Sequence, residues 1–88
     1  MQELTIEGLK KCFYEASQQD KKFVGVLIEM PGFEKPEVII NPAENFDNKF
    51  AYYQSAYDEN LNHKHAQGIR IIGFAYGDNF GELERDMV

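Results

Sequence analysis

The sequence predicts a single α+β domain, in which a three-stranded antiparallel sheet of order 2-1-3 packs against helices in the succession α-β-β-α-β-α. Three observations carry this. Phe23 to Ile28 is apolar at nearly every position, the pattern of a strand covered on both faces. Phe46, Phe50, Tyr53 and Tyr57 recur at helical spacing, so at about 100° per residue the four rings fall within roughly 60° of arc. The length, 88 residues, allows one domain and no more.

In chain order, Thr5 is the expected N-cap of a first helix reaching about Gln19, with Ile6, Leu9, Phe13 and Ala16 as its apolar stripe. Cys12 lies on the flank of that stripe and reads as a small buried hydrophobe, while Tyr14 lies off it among polar residues. Gln18 to Lys21 is a polar turn into the first strand. Met30 to Pro36 is a connecting loop, and Pro31-Gly32 suits the centre of a type II turn. Val38-Ile39-Ile40 is a shorter second strand, and Pro36 just before it places it at an edge.

Asn41-Pro42-Ala43-Glu44 then has the signature of a helix start: a capping Asn, Pro at the first helical position and Glu at the third. The long aromatic-striped helix follows, and Leu61 would continue its stripe a turn beyond Tyr57. Gly68 opens a third strand, Ile69 to Tyr76. Gly77-Asp78 ends it, and Asp78 or Asn79 caps a last short helix with Phe80, Leu83 and Met87 inward. A right-handed crossover through the long helix puts strand one between strands two and three. Either the helices divide between the two faces, or they share one and Leu27, Ile39 and Phe74 or their alternates leave an apolar patch on the other for a second copy to cover. The second geometry predicts a homodimer.

Lys+Arg 9 against Asp+Glu 15 gives a net charge of -6, which argues against direct nucleic-acid binding and against anionic membranes. The imbalance is uneven. Residues 1–28 hold four acids and four bases, whereas residues 29–88 hold eleven acids and five bases. One cysteine excludes an intrachain disulfide, no apolar run is long enough to span a bilayer, and Met1 to Thr5 has no leader character. A cytosolic setting fits.

Chemistry-bearing motifs are missing: there is no phosphate loop, dinucleotide fingerprint, nucleophile elbow or paired-histidine zinc helix. Asp78-Asn79 with Glu82 and Glu84 lacks calcium-loop spacing, and His63-Lys64-His65 has no third ligand near it, so these read as solvated side chains. The chain is read as non-enzymatic and without a cofactor. What stands out instead is aromatic residues where polar ones are usual. Phe33 sits in the loop beside Glu34 and Lys35, and Tyr52 lies about 120° from the axis of the aromatic stripe. Phe33, Glu34, Lys35 and Tyr52 are the candidate protein-interaction residues. The competing reading makes Phe33 a plug folded back over the sheet edge.

Met30 to Pro42, Tyr52 to Asp58 and Gly68 to Phe74 resemble small uncharacterised proteins encoded by phages and prophages of Gram-positive bacteria. The resemblance implies a setting, the cytoplasm of a bacterial host, and a mode of action, binding and inhibiting or redirecting a host protein. Two alternatives stand beside it. One is an acidic mimic of nucleic acid that blocks a DNA- or RNA-binding enzyme, with Glu29, Glu34, Glu37, Glu82, Glu84 and Asp86 as its charges. The other is a structural homo-oligomer or small-ligand module with a pocket lined by Phe23, Leu27 and Phe74.

Overall fold

The computed structural model describes residues 3–87, and within them the predicted succession of elements is present. It runs α1 (Ile6–Gln18), β1 (Phe23–Glu29), β2 (Glu37–Pro42), a 3-10 turn (Ala43–Asn45), α2 (Phe46–Ala56), β3 (Arg70–Gly77) and α3 (Phe80–Met87). The strands form one antiparallel sheet in the order β2-β1-β3, with the doubly apolar segment in the centre.

Local chemistry explains the ends of α1. Thr5 Oγ1 accepts from the Gly8 N–H at 3.0 Å, and the Ile6 N–H donates to the Glu59 carbonyl at 3.0 Å, so two of the helix's orphan donors are satisfied. At the other end Asp20 takes a φ of 53°. There the Lys21 N–H reaches the Ala16 carbonyl at 2.9 Å and the Asp20 N–H reaches Ser17 at 3.2 Å, closing a Schellman motif on a non-glycine residue.

The helices divide between the two faces of the sheet. On one face Val24, Val26 and Ile28 of β1 and Ile71 and Phe74 of β3 meet α1 and α2 in the main core. Phe13 is its hub, with its ring centroid 5.4 Å from Phe46 and 6.2 Å from Tyr53. On the other face α3 lies over β1 and β3. The floor beneath it is small: Gly25, Gly73, Ala75 and Gly77. A methyl group added to Gly25 would stand 3.1 Å from Met87 Cε, so backbone and helix are already in contact distance. Leu83 and Ala75 are buried here, apart from the main cluster.

Several expectations are corrected. Asn41 does not cap a helix: it is a residue of β2 with no exposed surface, and α2 begins only at Phe46 after the 3-10 turn. Its amide nitrogen donates to the Val24 carbonyl at 3.0 Å, and its oxygen accepts from the Tyr53 hydroxyl at 3.4 Å. A buried amide is tolerable because both ends have partners. Helix α2 stops at Ala56, so Leu61 fills the core from a loop, with a φ of 65°. Phe80 does not turn inward. It remains 61% exposed with one side against Phe23, ring centroids 5.4 Å apart.

The premise of the dimer expectation also changes. Leu27 lies on the α3 face, whereas Ile39 and Phe74 lie on the α1–α2 face, where Phe74 is 1% exposed. No shared patch joins the three. The pocket expected from Phe23, Leu27 and Phe74 is ruled out by the same division. The cause is the register, which sets Phe74 and Ile39 opposite Val26 and Gly73 opposite Leu27; a bulge between Leu27 and Ile28 separately brings Ile71 onto the face of Phe74.

Candidate functional site

The hairpin loop from Met30 to Pro36 is held from both ends. Met30 packs on the core. Gly32 has a φ of 88°, which the second central position of a type II turn requires, and the Phe33 N–H closes the turn on the Met30 carbonyl at 3.3 Å. Pro31 leans on the Gly68 turn, with its Cγ 3.1 Å from where a side chain on Gly68 would begin. Phe33 projects from this braced backbone with 66% of its surface exposed, so it is not a plug over the sheet. Glu34 and Lys35 are exposed beside it, and neither makes an ion pair among the described residues.

Tyr52 is half exposed on the flank of α2. Its ring stands edge-on to Tyr53 at 5.3 Å, and Lys49 Nζ lies 5.4 Å from its centroid. No hydrogen bond, ion pair or ring contact among the described residues joins Tyr52 to the Phe33 loop. Phe33, Glu34 and Lys35 thus share one exposed loop, and Tyr52 stands on α2.

Groups with chemical potential elsewhere are committed to structure. Burial, and then the charge of Glu15, pushes the Cys12 thiol from its usual 9.0 up to about 12, so it is protonated at neutral pH and not a nucleophile. His63 Nδ1 accepts from the backbone N–H groups of His65 and Ala66, both at 3.1 Å, and its ring stands against Tyr57 at 5.1 Å. These two bonds make His63 the brace of its loop. Asn79 Oδ1 accepts from the Glu82 N–H at 2.9 Å and Glu82 Oε2 accepts from the Asp78 N–H at 2.8 Å, so these side chains cap α3. Among the described residues no three His, Cys, Asp or Glu side chains converge as metal ligands.

Of the six carboxylates that would serve a nucleic-acid mimic, Glu82 is engaged in that cap and Glu29 binds Arg70 at 2.7 Å. Asp86 lies 3.7 Å from Arg85. A concavity of about 420 Å³ between α1 and β3 is lined by Glu3, Glu7, Lys11 and Glu15 over Cys12 and Tyr76.

One surface escaped sequence reasoning. A groove of about 250 Å³ runs between β2 and α3, lined by Val38, Ile40, Phe80, Leu83, Glu84 and Met87. Val38 is 41% exposed there. Two signals in the sequence point toward it: the Gly73-x-Ala75-x-Gly77 alternation that seats α3, and the helical spacing of Phe80, Leu83, Glu84 and Met87.

The class this architecture defines is a small α+β protein with one antiparallel sheet, two helices on one face and one on the other. No protein-family model, curated protein or solved structure matches the chain. No helix among the described residues is long and apolar enough to cross a membrane.

Proposed function

We propose that this chain is a non-catalytic accessory protein, of phage or prophage origin, that acts in the host cytoplasm by binding a host protein through the Met30 to Pro36 loop. The observation that carries the reading is Phe33, 66% exposed on a backbone restrained by Pro31, Pro36 and the turn at Gly32. Ordering such a loop on a partner costs less entropy than ordering a glycine–serine loop. An aromatic anchor with Glu34 and Lys35 at its rim is the usual composition of an interface hot spot. Tyr52 serves as a separate, secondary contact on α2.

The test pairs a pull-down from host lysate, read by mass spectrometry, with a thermal melt of wild type and Phe33→Ala. The melt should change by no more than roughly 1 kcal/mol in stability, because the side chain is in water. Binding to the captured protein should weaken by about 2 kcal/mol or more. Undiminished capture by the folded variant, or a variant that unfolds, would end this reading.

A further inference from the structure

β2 is an edge strand, and its free edge is unusually constructed. The Ala43 N–H donates to the Lys22 carbonyl at 2.9 Å, which sets the phase of pairing with β1. In an antiparallel ladder alternate residues turn their backbone to the same neighbour. Glu37, Ile39 and Asn41 therefore bond to β1, opposite Ile28, Val26 and Val24, while Pro36, Val38, Ile40 and Pro42 turn outward. Among the described residues no other element hydrogen-bonds to that edge. Pro36 and Pro42 have no N–H, so the edge offers two donors, Val38 and Ile40, and is closed to longer pairing on either side.

The segment is also symmetric about Ile39. Pro36-Glu37-Val38-Ile39-Ile40-Asn41-Pro42 reads proline, polar, aliphatic, aliphatic, aliphatic, polar, proline from either end. We infer that this edge pairs with the same edge of a second copy of the chain, about a twofold axis through Ile39, to give a continuous sheet of order β3-β1-β2-β2-β1-β3. In that register Val38 of each copy lies opposite Ile40 of the other, and all four backbones are turned outward. Each pair exchanges two hydrogen bonds, so every outward N–H of both edges is used.

The flanking positions agree. Proline meets proline, where neither has a hydrogen to donate. The strand's one charge, Glu37, faces the uncharged Asn41 of the other copy, and the two Glu37 carboxylates sit at opposite ends of the pair, so no like charges oppose each other along the strands. Val38, now 41% exposed, and the half-buried Ile40 become cross-strand neighbours and cover each other's flanks. A chain of another sequence could meet two donors, but a second copy meets the donors, the prolines and the polar ends together. This dimer does not depend on the Phe33 reading and does not use the face argument that the fold removed.

Four backbone bonds and a small apolar contact belong at the weak end of specific interfaces, with a dissociation constant on the order of 10 to 1,000 μM. The test is amide hydrogen exchange by NMR on the full chain, run beside sedimentation velocity over that range. The Val38 and Ile40 amides should exchange freely in dilute solution and slow by about tenfold or more as dimer forms. The Ile39 and Asn41 amides, bonded to β1, should stay protected throughout. Val38→Lys, which sets cations at both cross-strand positions, should weaken association by about tenfold or more without lowering the melting temperature. A monomer at roughly 1 mM would overturn the inference. So would a dimer in which Val38 and Ile40 still exchange freely, or a folded Val38→Lys that associates like wild type. Should Val38→Lys melt early, the wild-type exchange data decide alone.

Discussion

The face under α1 and α2 is filled by Phe13, Phe46, Tyr53 and Phe74, whereas the face under α3 is paved with Gly25, Gly73, Ala75 and Gly77. Both exclude water from β1, by opposite means. Large rings span the gap to two helices on the first face. On the second, the four small residues, with Phe23 and Leu27 on the same face, let one eight-residue helix come close to the backbone, where Leu83 and Met87 make their contacts at short range. The difference shows that a strand apolar on both faces needs cover on both, but not equal volume. It also explains where cover ends: α3 stops short of β2, so Val38 and Ile40 are left facing a groove.

The two faces should differ most at one phenylalanine from each. Phe74→Ala opens a cavity in the ring-filled face and should cost about 3–5 kcal/mol, whereas Phe80→Ala, on a side chain 61% exposed, should cost no more than about 1 kcal/mol. Urea midpoints measure both, and equal losses would mean the two faces bear similar loads.

The next effect is pH dependence, which belongs to the ring-filled face alone. Burial raises Cys12 from 9.0 to about 12. Burial also raises Tyr53 from 10.0 to about 12, with its partner Asn41 opposing the rise and Tyr57 and Tyr52 adding to it. In the unfolded chain both groups lose their protons first, so unfolding becomes easier as pH rises. Stability should be complete below pH 9.0 and fall toward pH 12, by a total on the order of 4 kcal/mol from the thiol. Urea unfolding of wild type and Cys12→Ala from about pH 8 to about pH 11 should give a shallower alkaline loss in the variant. Parallel curves would show that the thiol is not sealed.

The smallest effect sharpens the glycine floor. A methyl at Gly77 would meet Glu82 Oε2 at 2.8 Å and Glu82 Cβ at 2.9 Å, so the start of α3 must move and Gly77→Ala should cost about 1–3 kcal/mol. At Gly25 the nearest atom is the flexible tip of Met87 at 3.1 Å, so Gly25→Ala should cost less, within about 1 kcal/mol. Differential scanning calorimetry orders the pair, and the reverse order would place α3 differently on the sheet.

Much of the architecture was legible in the sequence because it depends on neighbours along the chain. The Thr5 cap, the Pro31-Gly32 turn, the apolar run of β1 and the ring spacing of α2 are each settled within a few residues. Antiparallel order followed from those elements and the handedness of crossovers. Of the candidate site, the turn could be anticipated from Pro31-Gly32, whereas the choice between an exposed Phe33 and one folded back over the sheet edge was made by the tertiary structure.

What the tertiary structure alone decided has partners far away in the chain. Asn41 has the residue type and spacing of a helix cap, yet it is a buried strand residue because the Val24 carbonyl and Tyr53 hydroxyl are there to receive its amide. The bulge opposite Leu27 and Ile28 decided which isoleucine of β3 joins the core. Leu61 reaches the interior from a loop tied back at Asp58, whose Oδ1 accepts from the Asn60 and Asn62 N–H groups at 2.9 and 3.0 Å. The placement of α3 over β1 and β3 exposed the β2 groove. Local propensity sets where an element starts and which side is apolar, but which surface that side meets is a long-range balance of contact, burial and hydrogen bonding, decided only when the chain closes on itself.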